Sequence, residues 1–196
     1  MKNNSTAIIG MILWNSYFDE TTIRWIVWTV REKFEAVEIM IPDHPAKYTY
    51  QALWEKNPAS KVLSKGNALR NKVRRVISWT EHILDWKEEI NTHASYKKAV
   101  KEILQLSKTN EAFKKALEET TREVLAWKVE ISEERIRIWI KFLICELAFL
   151  ISAKEILWNK VTYVYHRPWQ IFTDLITWKF DGTKRAIDFE IIAKEG

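Results

Sequence analysis

FLICELAFLISAKEILWNKVTYVYHRPW, residues 142 to 169, is the stretch whose reading decides the fold. From Phe142 to Ile151 every side chain is apolar except that of Glu146. The run is too short to cross a bilayer, so it reads as a core helix. An isolated buried carboxylate is costly, so Glu146 must be paired, protonated or kept for chemistry. Phe142 and Glu146 lie four residues apart on one helical face, with Phe149 and Leu150 a further turn on. VTYVYH then reads as a strand carrying Tyr163 and Tyr165 on the same side, followed by His166. By themselves these residues also allow a core glutamate neutralised by a lysine or arginine.

The rest of the chain supplies a frame for that helix. TAIIGMI (6 to 12) is an uninterrupted apolar run, the pattern of a strand buried on both faces. A helix capped by Asp19 or Thr21 is expected to run to about Phe34, with Ile23, Ile26, Val27, Val30 and Phe34 on one face. AVEIMI (36 to 41) follows as a second strand, stopped by Pro42, Asp43 and Pro45. Strand, helix and strand of this kind predict a right-handed crossover in a parallel sheet. A short helix is expected at Tyr48 to Trp54 and a longer one from near Asn67, with Leu69, Val73, Val76 and Ile77 as its apolar side. Helices from the mid-90s to Ser107, from Asn110 to about Trp127, and onward from Glu133 come next. Pro168 suits the first turn of a helix to about Trp178, Asp181-Gly182 marks a turn, and KRAIDFEIIA (184 to 193) reads as a final strand. These readings add up to one α/β domain over residues 1 to 196, a parallel sheet with helices on both faces.

Composition narrows the function. Hydrophobic content of 47% excludes a disordered chain. The single cysteine, Cys145, excludes an internal disulfide framework, and the four histidines show no metal-ligand spacing. No Walker loop or GxGxxG fingerprint is present. Bulky Asn15, Tyr17 and Phe18 follow the first apolar run where a signal peptide would need small residues, so a cytoplasmic protein is expected. Eleven tryptophans stand against four glycines, the reverse of ordinary usage. No acidic residue occurs from Pro58 to Thr80, where Lys61, Lys65, Arg70, Lys72, Arg74 and Arg75 make the densest basic segment.

E-L-A-F, A-x-E-I-L and Y-V-Y-H-R-P-W, in that order, resemble the C-terminal half of the tRNA-dependent cyclodipeptide synthases. AIIGMILWNSYF (7 to 18), IPDHPAKYTYQAL (41 to 53) and KGNALRNKVRR (65 to 75) resemble that family's N-terminal motifs, also in order. The resemblance implies a Rossmann-like domain similar to the catalytic domains of class I tyrosyl- and tryptophanyl-tRNA synthetases. It implies an enzyme that joins two amino acids from aminoacyl-tRNAs into a cyclic dipeptide, without cofactor, metal or membrane, as a monomer. Relatives use a serine after the first strand as nucleophile, and here that position is Ile12, while Gly10, Met11 and Asn15 match the motif around it. By the same resemblance Glu146 binds the substrate ammonium, and Phe142 stands where relatives have a tyrosine. Tyr165 holds or relays a proton near the ester, Asn15 fixes the loop, and Ile8 lines the aminoacyl pocket. Ser16 lies four residues past the nucleophile position, too far along to replace it.

Two readings follow from Ile12: a synthase with altered chemistry, or a degenerate relative that binds aminoacyl-tRNA without condensing it. A nucleotide-binding synthetase is a third, and no HIGH or KMSKS pattern supports it. The basic segment is placed to take phosphate and 2′-hydroxyl groups of a tRNA acceptor arm, or else is a plain solvated face. Trp14, Trp54 and Trp158 fall at turn-like positions where relatives often carry glycine. Either the source decodes UGA as glycine and tryptophan is written in its place, or the protein is simply rich in tryptophan.

Overall fold

Alternate residues of the first strand, β1 (Asn3–Gly10), are equally inaccessible: Ala7 and Ile9 on one side, Ile8 on the other. A strand buried on both sides needs a layer on each face of its sheet, and the unbroken apolar run predicted that. The computed structural model describes residues 2–13, 15–165, 169–177, 179–182, 185 and 187–192. It contains four further strands, β2 (Phe34–Met40), β3 (Glu81–Leu84), β4 (Val161–Tyr165) and β5 (Ile187–Ile191). All pair in parallel in the order β3-β2-β1-β4-β5. The chain therefore builds one half of the sheet outward from β1, then returns to add β4 on the other side. That reversal falls between β1 and β4, and open α/β sheets bind ligands outside the carboxyl ends of the strands at such a point.

Helix α1 (Glu20–Lys33) makes the first crossover, and its start is settled by Asp19, whose Oδ1 accepts the N–H of Thr22 at 2.7 Å. After β2 comes α2 (Ala46–Ala52), two residues earlier at each end than Tyr48 to Trp54 suggested. Helix α3 (Pro58–Arg74) begins nine residues before the expected Asn67. Asn57 caps it and Pro58 opens its first turn, but Ser60, Lys61, Ser64 and Lys65 obscure the apolar period there. Val76 and Ile77 lie past its end. β3 was not expected from the sequence at all. It is a four-residue edge strand, Glu-His-Ile-Leu, too short and polar to show a pattern. A single π-turn, Trp86–Ile90, follows it, then α4 (Ala94–Thr109) and α5 (Glu111–Ala126).

The organising helix is α6 (Glu133–Leu157). Ser132 caps it, Glu133 and Glu134 complement the positive end of its dipole, and Lys154 the negative end. It packs against α2, α4 and α5 and touches β4, so from Phe142 to Leu150 every residue except Cys145 is buried. Leu143, Leu147, Phe149 and Leu150 each contribute about 1.5–3 kcal/mol on burial, which together offsets the few kcal/mol that one neutral carboxyl costs there. Helix α7 (Gln170–Ile176) and β5 complete the domain, both shorter than expected. His166, Pro168, Trp178 and the ends of the KRAIDFEIIA segment lie outside the described residues. No described helix is long and apolar enough to cross a membrane.

Candidate functional site

The register between β1 and β4 sets Ile8 opposite Tyr163. Two residues further on, the Tyr165 ring lies across Gly10. A Cβ on residue 10 would sit 2.2 Å from Tyr165 Cε2 and 2.9 Å from Cδ2, so only glycine admits this ring. Gly10 is thus a steric requirement of the site, not of a turn. Tyr165 is held edge-on by Phe172 at 6.1 Å and leans on Tyr163 at 6.3 Å, while Tyr163 meets Phe149 of α6 and Phe189 of β5. Ile8 is completely buried beneath them.

Glu146 projects from α6 toward these two tyrosines and is 2% exposed. Among the described residues, neither carboxylate oxygen finds a hydrogen-bond partner and no lysine or arginine pairs with it. The core ion pair that the residues alone allowed is absent from the described part. Burial pushes the Glu146 carboxyl up to about 8. At neutral pH the acid is therefore mostly protonated. Burial also raises both tyrosine hydroxyls well above their ordinary value, and the adjacent Glu146 adds to this. The resulting group is a neutral acid that gains most from the arrival of a cation.

Phe142, one turn before Glu146, is fully buried and packs on Trp139 at 5.3 Å and Trp169 at 6.3 Å. Trp169 also stacks edge-on against Trp139 and Phe172. Its outer side lines a cleft of about 850 Å³ between α5 and α7, together with Lys115, Glu119, Asp174 and Phe180. Glu146 and Tyr165 do not line that cleft.

Beyond Gly10 the chain turns. Ile12 is 7% exposed, an aliphatic side chain in the core with no group able to attack an ester. Asn15 closes the turn: its N–H donates to Ile12 O at 3.3 Å and its Oδ1 accepts from Tyr17 N at 3.0 Å. Ser16 is exposed on the outside of that turn. Trp14 lies outside the described residues.

Helix α3 flanks the same edge of the sheet. Gly66 approaches Asp43, which follows β2, and Leu13, which follows β1. The basic residues do not form one free patch. Arg70 Nε and Nη2 donate to Asp43 Oδ2 at 2.9 and 2.6 Å, so this guanidinium anchors the helix. Lys72 donates to the Phe18 carbonyl at 3.4 Å, and Arg75 is paired with Glu20. Lys61 lies 3.5 Å from Glu55. Lys65 and Arg74 are exposed and have no ion-pair partner among the described residues. Those long-range partners, Asp43 and Glu20, could not be read from the helix itself.

Sequence reading brought Gly10, Tyr165 and Glu146 to one place and left out Trp169, a plain aromatic after a proline. Its role as the layer between Phe142 and the α5–α7 cleft shows only in the packing. No group of three or more His, Cys, Asp or Glu among the described residues is placed to hold a metal ion.

A family model described as cyclodipeptide synthase matches residues 1–185. Cyclo(L-leucyl-L-leucyl) synthase of Bacillus subtilis is 24% identical over 208 residues, covering 96% of this chain and 82% of that protein. The crystal structure of a cyclodipeptide synthase from Bacillus thermoamylovorans superposes with a TM-score of 0.87 at 17% identity, over 100% of this chain and 91% of the other. A Mycobacterium tuberculosis structure, described as demonstrating that cyclodipeptide synthetases are related to type I tRNA synthetases, gives 0.85 at 16% identity, with coverages of 98% and 87%. A cyclodipeptide synthase from Candidatus Glomeribacter gigasporarum, bound to Phe-tRNAPhe, gives 0.73 at 14% identity, with coverages of 100% and 91%.

Proposed function

The chain belongs to the cyclodipeptide synthase family, and from that premise we propose that it receives aminoacyl-tRNA at the carboxyl ends of β1 and β4 and forms a cyclic dipeptide from two such substrates. The observation that carries this reading is Glu146, buried, without a partner among the described residues, and set beside Tyr165. An α-ammonium arriving beside Glu146 would convert a neutral acid into a desolvated, charge-assisted pair. Tyr165, laid over Gly10 at the end of β1, would stand near the ester carbonyl. Phe142 keeps the ring of the family's tyrosine but brings no hydroxyl to share the ammonium. The tRNA-bound relative supports aminoacyl-tRNA as the partner. Lys61, Lys65 and Arg74 on α3 would then meet the acceptor-arm phosphates, with Arg70, Lys72 and Arg75 chiefly holding α3 against the rim.

Ile12 can carry no ester, so direct transfer is the route proposed. The amine of one substrate would attack the aminoacyl ester of the other directly, the released tRNA hydroxyl taking up a proton. A second attack, by the remaining amine on the remaining ester, closes the ring. Buried Ile12 and outward-facing Ser16 favour one competing reading, aminoacyl-tRNA binding without condensation.

Charged tRNA pools supplied to the wild type and to Ile12→Ser, with cyclic dipeptides followed by mass spectrometry, separate these readings. Product from both proteins means that residue 12 is not needed as nucleophile, the transfer being direct or the nucleophile lying elsewhere. Product from Ile12→Ser alone supports an intact recognition site without a nucleophile. Product from neither removes the condensing activity and leaves aminoacyl-tRNA binding, which Glu146→Gln should then weaken, as the reading that stands.

A further inference from the structure

Three described residues have positive φ. One is Gly182 at +69°, and the other two are both tryptophans, Trp54 at +57° and Trp158 at +52°. A bulky L-residue in the left-handed region is a genuine outlier, because its Cβ crowds the following carbonyl.

Both tryptophans occupy the same structural position. Trp54 follows α2, and the N–H of Glu55 reaches back to Tyr50 O at 3.1 Å while Trp54 N donates to Gln51 O at 3.0 Å. Trp158 follows α6, and the N–H of Asn159 reaches back to Lys154 O at 3.3 Å. These six-to-one bonds define a Schellman ending whose left-handed residue is usually glycine. Burial of the indole does not repay the strain, since Trp158 is 87% exposed and Trp54 49%. Trp54 has one compensating contact, the Arg135 guanidinium 4.9 Å above its ring. Trp86 and Trp139 behave differently: both are buried and pack against Phe149 and Phe142.

Composition points the same way. An average chain of this length carries about 14 glycines, at roughly 7%; this one has 4, with 11 tryptophans. We infer that residues 54 and 158 are glycine in the protein as its source makes it, encoded by UGA codons that the source reads as glycine. Tryptophan stands at these positions only where UGA is read as tryptophan. Trp86 and Trp139 are native tryptophans, encoded by UGG.

The codons in the source gene test this directly. UGA at 54 and 158 with UGG at 86 and 139 is expected, and UGG at either 54 or 158 overturns the inference. Intact-mass and peptide analysis of the protein isolated from its source should find glycine at both positions, and tryptophan at either refutes it. Independently, Trp158→Gly should raise the melting temperature by about 2 °C or more, and the double variant with Trp54→Gly further. Trp139→Gly should lower it sharply. An unchanged or lower melting point for Trp158→Gly would show that no strain is stored there and remove the structural basis of the inference.

Discussion

Replacing Glu146 with glutamine should make the protein more stable at neutral pH and remove much of its pH dependence. The carboxyl moves from an ordinary 4.5 in the unfolded chain to about 8 in the folded one. Because the folded value is the higher, stability is complete below about pH 4.5, falls as the pH rises through the interval, and levels off above 8. Integrating between pH 5 and pH 7 gives a loss of about 2–3 kcal/mol from this one residue. That is a large share of the 5–15 kcal/mol typical of a folded domain. The amide of Glu146→Gln is neutral throughout, so subtracting its unfolding curves from those of the wild type isolates the ionisation. Glu38, raised chiefly by burial, and Glu81, held low by Ser78, Thr80 and Arg31, titrate in both proteins and cancel. Urea unfolding at pH 5, 6 and 7 should show the two proteins diverging by about 2–3 kcal/mol over that range. Parallel pH profiles would refute the reasoning, because they would mean that Glu146 is ionised and stabilised in the folded state.

Two further outcomes are expected. Gly10→Ala should cost about 1–3 kcal/mol of stability through the clash with the Tyr165 ring, and most of that cost should vanish in a Tyr165→Ala background. An equal cost in both backgrounds would place the constraint elsewhere. Removing Lys65 and Arg74 together should flatten the salt dependence of tRNA binding by about 2 in log–log slope, whereas Arg70→Ala should chiefly destabilise α3 by stranding Asp43. An unchanged slope in the first variant would make that face an ordinary solvated surface.

Much of the architecture was legible because it rests on local periodicity. The apolar run before Gly10 and the helical spacing of Ile23, Ile26, Val27 and Val30 specify a buried strand and a one-sided helix, whatever surrounds them. The Glu146 to Tyr165 stretch was equally plain. β3 leaves no such signal, because an edge strand of four residues is defined by its pairing to β2 and not by its own pattern. The first turns of α3 escaped notice because their polar residues face solvent and carry no apolar period.

By itself, then, the sequence determined the class of fold and which residues could carry chemistry: a carboxylate in an apolar helix, a tyrosine at a strand end, a glycine beside it, and an isoleucine unable to act as nucleophile. Whether Glu146 had a neutralising neighbour among the described residues, whether Arg70 faced solvent or Asp43, and whether Trp54 and Trp158 sat in a left-handed turn were decided only in three dimensions. The physical reason is one of range. Periodicity and propensity act within a few residues, whereas desolvation and ion pairing depend on atoms that folding brings in from elsewhere in the chain, and a residue's φ at a helix end is set by the bonds that close that end.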